Sequence, residues 1–354
     1  MAWAKNILLS VIFTFITGFV LLPQNQAKAD HYVGSELTYA YLGSPGKYLL
    51  RLKFFRDCGG IPMWDQILVN GVAPGCTPFS LNYTLIQNNF ALEISEVCPG
   101  QATECSVEPD NTIQGVELYE YTGIIDLADF GYTCEDWTFY LESGNRNEGI
   151  INLNNGNSIY LGFYTAAYCK DSVGINNSSP VFASSPVPFV CKNDTVQYNL
   201  QATDPDGDSL VYSLQPAKEN AGTNINYSTN YSHLQPFGTL AINSFPASLN
   251  PETGQLTFRP QVDGPYVVVI KVEEWRMING VPVLVGSMNR DVQVQVVTCT
   301  SPPPKLQLLT LEENGVFVDD FLPTEIKVLE ACTPYCISIP AITTANPNVT
   351  LTLT

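Results

Sequence analysis

Positive charge is scarce in this chain. Only 14% of its 354 residues are charged, and 16 Lys and Arg stand against 34 Asp and Glu, a formal net charge of −18. That deficit excludes phosphate-backbone binding, which needs clustered cations. It argues equally against electrostatic docking on anionic lipid. Histidine is nearly absent: His31 and His233 are the two present. His31 stands near the front of the chain, and His233 sits in the polar stretch "NYSTNYSHLQPFG". Neither accompanies a Ser or Cys in a nucleophile elbow, so a hydrolytic triad lacks its base. No glycine-rich phosphate loop is present. Long amphipathic helical patterns are missing too. The one helical candidate, "TGIIDLADFG" (122–131), is short.

What is abundant is alternation. Hydrophobic residues make up 45% of the chain, enough for packed cores. In "KYLLRLKFFRD" (47–57), Tyr48, Leu50, Leu52 and Phe54 share one face of an extended segment. "EDWTFYLES" (135–143) does the same with Trp137, Phe139 and Leu141. "SIYLGFYTAAYC" (158–169) and "YVVVIKVEEW" (266–275) are rich in β-branched and aromatic residues. "DVQVQVVTC" (291–299) alternates through Val292, Val294 and Val296. Turn chemistry punctuates these runs, and "MINGVPVLVG" predicts a hairpin with Asn279-Gly280 as a type I′ turn. The expected fold class is all-β, as tandem Ig-like sandwich domains.

The leading residues read as a secretory signal, with Lys5 before the apolar run 7–22 and "AKA" at 27–29 as the cleavage site. Cleavage would start the mature chain at Asp30 and, by removing Lys5 and Lys28, take the charge from −18 to −20. No later segment is apolar and long enough for a span, so no lipid insertion is expected after cleavage. The ten cysteines all follow the signal, and an exported chain meets an oxidising compartment. Expected pairs are Cys58–Cys76, Cys98–Cys105, Cys134–Cys169 and Cys191–Cys299, each within one domain. Cys332-x3-Cys336 lacks a second pair to complete a zinc tetrahedron. Two joints divide the chain. "GINNSSPVFASSPVPF" (174–189) is polar and Pro-rich, and "CTSPPPK" (299–305) is stiffer. The expected domains are 30–173, 177–298 and an incomplete third within 299–354, whose last residues "NVTLTLT" read as mid-strand, as in a piece of a longer protein.

"ATDPDGDSLVYSL" (202–214) gathers Asp204, Asp206 and Asp208 at alternate positions between apolar runs. Counted as an EF-hand from Asp204, the glycine position holds Ser209 and the bidentate acid position Gln215, so that motif fails. A looser calcium site remains open, because Pro205 and Gly207 bend the backbone and bring the carboxylates together. The alternative is a solvated turn, with Asp204 and Asp208 capping backbone amides.

That stretch, with "FPASLNPETGQLTFRPQVDGPYVVVIKVEE" (245–274), resembles a cadherin-like domain of the dystroglycan type. The upstream "INNSSPVF" is similar to the linker that precedes such domains. The resemblance implies calcium as the cofactor, on Asp204 and Asp206 with Asn176 and Asn177 from the linker, and the looser site read from the loop itself adds Asp208. The linker here has no aspartate, and "TFRPQVDG" replaces the acidic motif after the Thr-Gly turn, so one weakly held ion is implied rather than a clamp of several. "ELTYAYLGSPGKYLLRLKFFRDCGGIP" resembles the leading domain of large secreted Bacteroidetes proteins with PKD-like repeats, associated with gliding motility and type IX secretion.

Other candidates are weaker. Glu273 and Glu274 are adjacent on a strand and point to opposite faces, so they cannot flank one glycosidic bond. Trp137 reads as core, whereas Trp64 is open to a sugar-stacking role. The expectation is a non-catalytic, secreted or cell-surface structural or adhesive protein, whose partner is a surface glycan or protein. The alternative is a carbohydrate-binding module or the accessory region of a secreted glycoside-active enzyme.

Overall fold

The computed structural model describes residues 32–299 apart from 61, 75–78, 89, 96–101, 107–113, 131–133, 145, 148, 155–160, 172–174, 185 and 187–188, together with short strands between 305 and 342. The chain is all-β. Its first strands are β1 (Tyr32–Tyr41), β2 (Lys47–Asp57), β3 (Gln66–Ala73), β4 (Phe79–Gln87), β5 (Leu92–Glu93), β6 (Val116–Asp126), β7 (Asp136–Ser143) and β8 (Phe163–Lys170). Then come β9 (Val181–Phe182), β10 (Phe189–Cys191), β11 (Val196–Asn199), β12 (Ala202–Thr203), β13 (Ser209–Gln215), β14 (Lys218–Asn220), β15 (Thr223–Asn224), β16 (Ser248–Leu249) and β17 (Gln255–Phe258). The long β18 (Gly264–Ile278) and β19 (Val281–Val297) follow. β20 (Lys305–Leu306), β21 (Leu309–Glu313), β22 (Val316–Phe321), β23 (Tyr335–Ser338) and β24 (Ala341–Ile342) pair among themselves. The helical candidate at 122–131 is not a helix. Its first half completes β6, and a single 3-10 turn at Leu127–Phe130 follows. Ile125, buried in the core, keeps the period of two that a helix would break.

Alternation places the core as the sequence predicts. Tyr48, Leu50, Leu52 and Phe54 of β2 are buried and pack with Tyr121, Val69, Leu85, Trp137 and Phe139 in one cluster. The same cluster runs on through Ile270, Val272, Val292 and Val294 to Tyr198 and Phe258 of the small sheet β11-β17-β16. β18 and β19 form the predicted hairpin. Ile278 pairs with Val281, and Asn279 and Gly280 have φ of 52° and 79°, as a type I′ turn requires.

The 12-stranded sheet runs β1-β2-β6-β4-β3-β7-β8-β19-β18-β13, and β1 also pairs with β19, closing the path. One edge of β19 is given wholly to β18. The other is divided among three strands. Gly286–Met288 pair with β8, Arg290–Asp291 with β1, and Gln295–Val297 run parallel to β10. Strands on either side of the 174–189 joint therefore share one sheet and one core.

Buried charge fills the place where β8 and β1 part. Arg146 donates to Asp291 through both terminal nitrogens, at 3.0 and 2.6 Å, and its Nε donates to the Gly162 carbonyl. Arg290 lies 3.0 Å from Glu36 in an ion contact too oblique for a hydrogen bond, and its other nitrogens donate to the Ser184 hydroxyl and carbonyl. Lys53 lies 2.9 Å from the other Glu36 oxygen. Each arginine covers a ring, Phe163 or Phe182. Gly34 lets β1 approach here, since a Cβ would lie 2.5 Å from the Asp291 carbonyl oxygen.

Cys191–Cys299 forms as expected, tying β10 to the end of β19. Cys58 does not pair with Cys76, nor Cys105 with Cys98; Cys58 and Cys105 bond to each other. The register explains it: Asp57 pairs with Val116, and the Cys58 amide donates to the Gly115 carbonyl, which delivers the loop carrying Cys105 to the end of β2. Cys76, Cys98 and Cys332 lie outside the described residues. The Cys134–Cys169 expectation fails, because Cys134 is disulfide-bonded elsewhere and Cys169 is a buried free thiol. Burial pushes that thiol well up.

Two measurements follow from this packing. Asp291→Ala leaves the Arg146 guanidinium buried without its counter-ion and is expected to cost about 3–5 kcal/mol in denaturant unfolding. The paired change Arg146→Met with Asp291→Leu is expected to lose less. Peptide mapping after iodoacetamide treatment should find Cys169 unmodified in the native protein and alkylated in denaturant.

Candidate metal centre

The aspartate loop joins β12 to β13. Asp204 organises it: its Oδ1 accepts the backbone N–H of Asp206 and of Asp208, both at 2.9 Å, while Gly207 turns the chain at φ 82°. This is the amide capping expected of a turn, on Asp204 alone. Asp206 faces the joint, where its Oδ2 accepts the Ser178 N–H at 2.6 Å. Asp208 receives a cation from within the chain. Arg276 donates to it from Nε at 2.7 Å and from Nη2 at 2.6 Å.

Arg276 reaches further. Its Nη1 donates to the Asn176 carbonyl at 3.0 Å and its Nη2 to Asn177 Oδ1 at 2.9 Å. Asn177 is fully buried, and its Nδ2 donates to the Tyr39 hydroxyl at 2.8 Å and to Glu274 Oε2. The Tyr39 hydroxyl donates a hydrogen bond to the Tyr168 carbonyl. The joint is also zipped to β1, where Ser178 and Ser179 hydroxyls accept from the amides of Tyr41 and Tyr39. One guanidinium and one amide thus link β1, the joint, the aspartate loop and β18.

Asp204, Asp208 and Glu274 bring one carboxylate oxygen each within 4.8 Å of the others. Two buried oxygens in this group, Asp204 Oδ2 and Glu274 Oε1, have no hydrogen-bond partner. Burial pushes the Glu274 carboxyl up to about 9, helped by the charges of Asp204, Asp208 and Asp206 and opposed by the Asn177 bond. Burial also raises Asp204. Gly286 makes the close approach possible: a Cβ there would lie within 2.6 Å of Glu274 Oε2, the Tyr39 hydroxyl and Asn177 Nδ2. A bulge at Val285 lies beside it, since Glu274 pairs with Gly286 and Trp275 with Leu284.

Asp204 and Asp208, both expected as ligands, therefore meet, and Glu274 joins them from β18. Asp206 and Asn177 are nearby but turned to Ser178 and Arg276. Glu274 and Arg276 were the residues that sequence reasoning missed. Their signal was the period of two on β18: Tyr266, Val268, Ile270 and Val272 face the core, and the next residues on that face are Glu274 and Arg276. The donors fit a hard cation, which takes carboxylate, amide and carbonyl oxygens. Asp204, Asp208 and Glu274 would hold it, with Asn177 Oδ1 and the Asn176 carbonyl if Arg276 withdrew.

The other candidates are dispersed. Glu273 lies on the opposite face from Glu274, 2.7 Å from Lys271. His233 sits beside the Tyr227 ring, and His31 lies outside the described residues. Trp137 is buried and stacked on Phe139, while Trp64 is 53% exposed.

The raised Glu274 carboxyl has a consequence for stability. Between about pH 4.5 and 9 the folded chain keeps a proton that the unfolded chain has lost. The contribution is therefore complete at low pH and declines as pH rises, by at most about 1.4 kcal/mol per unit. Glu274→Gln keeps the shape without the titration. Urea unfolding across that range should show a flatter dependence for the variant than for the native chain.

No family model and no curated protein matches this chain. Two solved structures that it is similar to are the N-terminal four Ig domains of Dscam1 isoforms 9.44 and 4.44. They are 10% and 9% identical, cover 91% of this chain and 71% and 72% of theirs, and have TM-scores of 0.17 and 0.16. A likeness that faint carries no argument about fold or function.

Proposed function

We propose that this chain is a secreted or cell-surface structural protein of adhesive type, non-catalytic, in which the 174–189 joint is clamped rigidly to the sheet that strands before and after it share. One observation carries the reading: Arg276 binds Asp208, Asn176 and Asn177 together, and Asn177 passes the connection to Tyr39 of β1. A clamp of this kind removes hinge freedom, as a protein under tension or presenting a ligand needs. The Cys58–Cys105 and Cys191–Cys299 bonds fit an oxidising, extracellular setting. Among the described residues no helix is long and apolar enough to cross a membrane. The partner is a surface glycan or protein.

In this reading Arg276 is the resident cation, and calcium is a weak second one at Asp204, Asp208 and Glu274. Calcium competes for Asp208 and stabilises by mass action where it wins. The Arg276→Met variant separates the two. In EDTA it should melt lower than the native chain and scatter X-rays as a looser particle. Millimolar calcium should raise its melting temperature more than that of the native chain. An unchanged melting temperature and scattering curve for Arg276→Met in EDTA would defeat the clamp, and the absence of a calcium response in both proteins would defeat the ion.

A further inference from the structure

A second polar cleft lies on the opposite face of β18 from Glu274. It has a volume of about 160 Å³ and is lined by Tyr164 of β8, Gln215 of β13, Lys218 of β14, Lys271 and Val269 of β18, and Asn289 of β19, with Pro216. The sheet register builds its floor: Val269 pairs with Gln215, and Lys271 with Asn289. The residues that alternate with Val268, Ile270 and Val272 point to the other side of the sheet, where Val267 and Val269 are buried in a second apolar cluster and Lys271, next on that side, is half-buried at its edge.

The chemistry of the lining is unlike that of the rest of the chain. Two lysines converge in a protein that has 16 Lys and Arg against 34 acids. Lys218 Nζ stands 5.3 Å from the centre of the Tyr164 ring, and Lys271 Nζ contacts Glu273 at 2.7 Å. The Tyr164 hydroxyl stays protonated at neutral pH, since burial pushes it up to about 12. The Asn289 amide is a further donor and acceptor on the floor. A ligand carboxylate would be met by the Lys218 ammonium and would draw Lys271 from its contact with Glu273, while hydroxyls would meet the amides of Asn289 and Gln215, and apolar C–H surface Tyr164, Val269 and Pro216. The space admits one sugar ring rather than a buried chain.

We propose that this cleft binds the carboxylate-bearing ring of an acidic sugar, such as a uronic acid at the end of a surface glycan. Lys218 and Lys271 hold the carboxylate, and Tyr164 and Asn289 hold the ring. The inference rests on the adhesive reading only in naming a glycan as the source. The cleft stands apart from the Arg276 clamp, so scattering and melting judge that reading while sugar binding judges this one.

Isothermal titration of the full chain with a trisaccharide of galacturonic acid provides the test. Saturable binding is expected, weakened by added salt and lowered about tenfold by Lys218→Ala and by Lys271→Ala. Both lysines are partly exposed, so melting curves of these variants should match the native chain, which separates lost binding from lost fold. Tyr164→Phe should weaken the acidic sugar without unfolding the sheet. The neutral galactose trisaccharide should bind at least tenfold more weakly. No saturable heat, binding indifferent to both lysines, or equal binding of the neutral trisaccharide would overturn the proposal. Equal affinity for sodium acetate or inorganic phosphate would also overturn it, because the cleft would then recognise only a free anion.

Discussion

The structure depends on how a single strand edge is shared. β19 gives one side to β18 and divides the other among β8, β1 and β10. Two strands that leave a common edge in different directions expose carbonyls and open space between them. The chain fills that space with charge. Arg146 satisfies the Gly162 carbonyl and Asp291 together, while Arg290 reaches Glu36 and Ser184. Removing charges from water is costly, and only good geometry repays it. The bidentate contact of Arg146 and the ring faces of Phe163 and Phe182 supply that geometry. The sheet can therefore close with the charges at its branch point countered, although Glu36 Oε2 and Arg290 Nε meet there as an ion contact without a hydrogen bond.

The candidate metal centre follows from the same strands. β18 is long enough to outrun its core, so the face that buries Tyr266 to Val272 continues into Glu274 and Arg276. Those two side chains meet the joint because β1 and β19 have already brought Tyr39 and Gly286 to the same place. Position thus comes from the branch point, and charge comes from where β18 stops being apolar.

Local patterns were legible in the sequence, and long-range ones, the Cys191–Cys299 bond apart, were not. Alternation gave β2, β7, β18 and β19, because side-chain period belongs to the strand itself. Asn279-Gly280 gave its turn, because a positive φ at both residues nearly requires that pair. Asp204 gave its capping role, being two and four residues from the amides it accepts. Cys58–Cys105 was hidden, since nothing near either cysteine says that β6 returns beside the end of β2. Arg276 was hidden in the same way: it lies 68 residues from Asp208, and only the pairing of β13 with β18 brings them together.

An acid-rich chain that buries carboxylates needs positive charge inside, and besides lysine, which Lys53 supplies to Glu36, there are three sources: metal, proton or arginine. Around the aspartate loop all three chemistries have a place. Arg276 neutralises Asp208, a proton stays on Glu274 at neutral pH, and the three clustered carboxylate oxygens suit a hard cation. A guanidinium on a strand is present at any calcium concentration, whereas an ion is lost when its concentration falls below its dissociation constant. Arginine also imposes direction, since its planar donors must be met by Asp208, Asn176 and Asn177 at once. A joint held in this way takes its orientation through hydrogen bonds from a side chain that β18 carries, and a bound ion would adjust the strength of the clamp without having to create it.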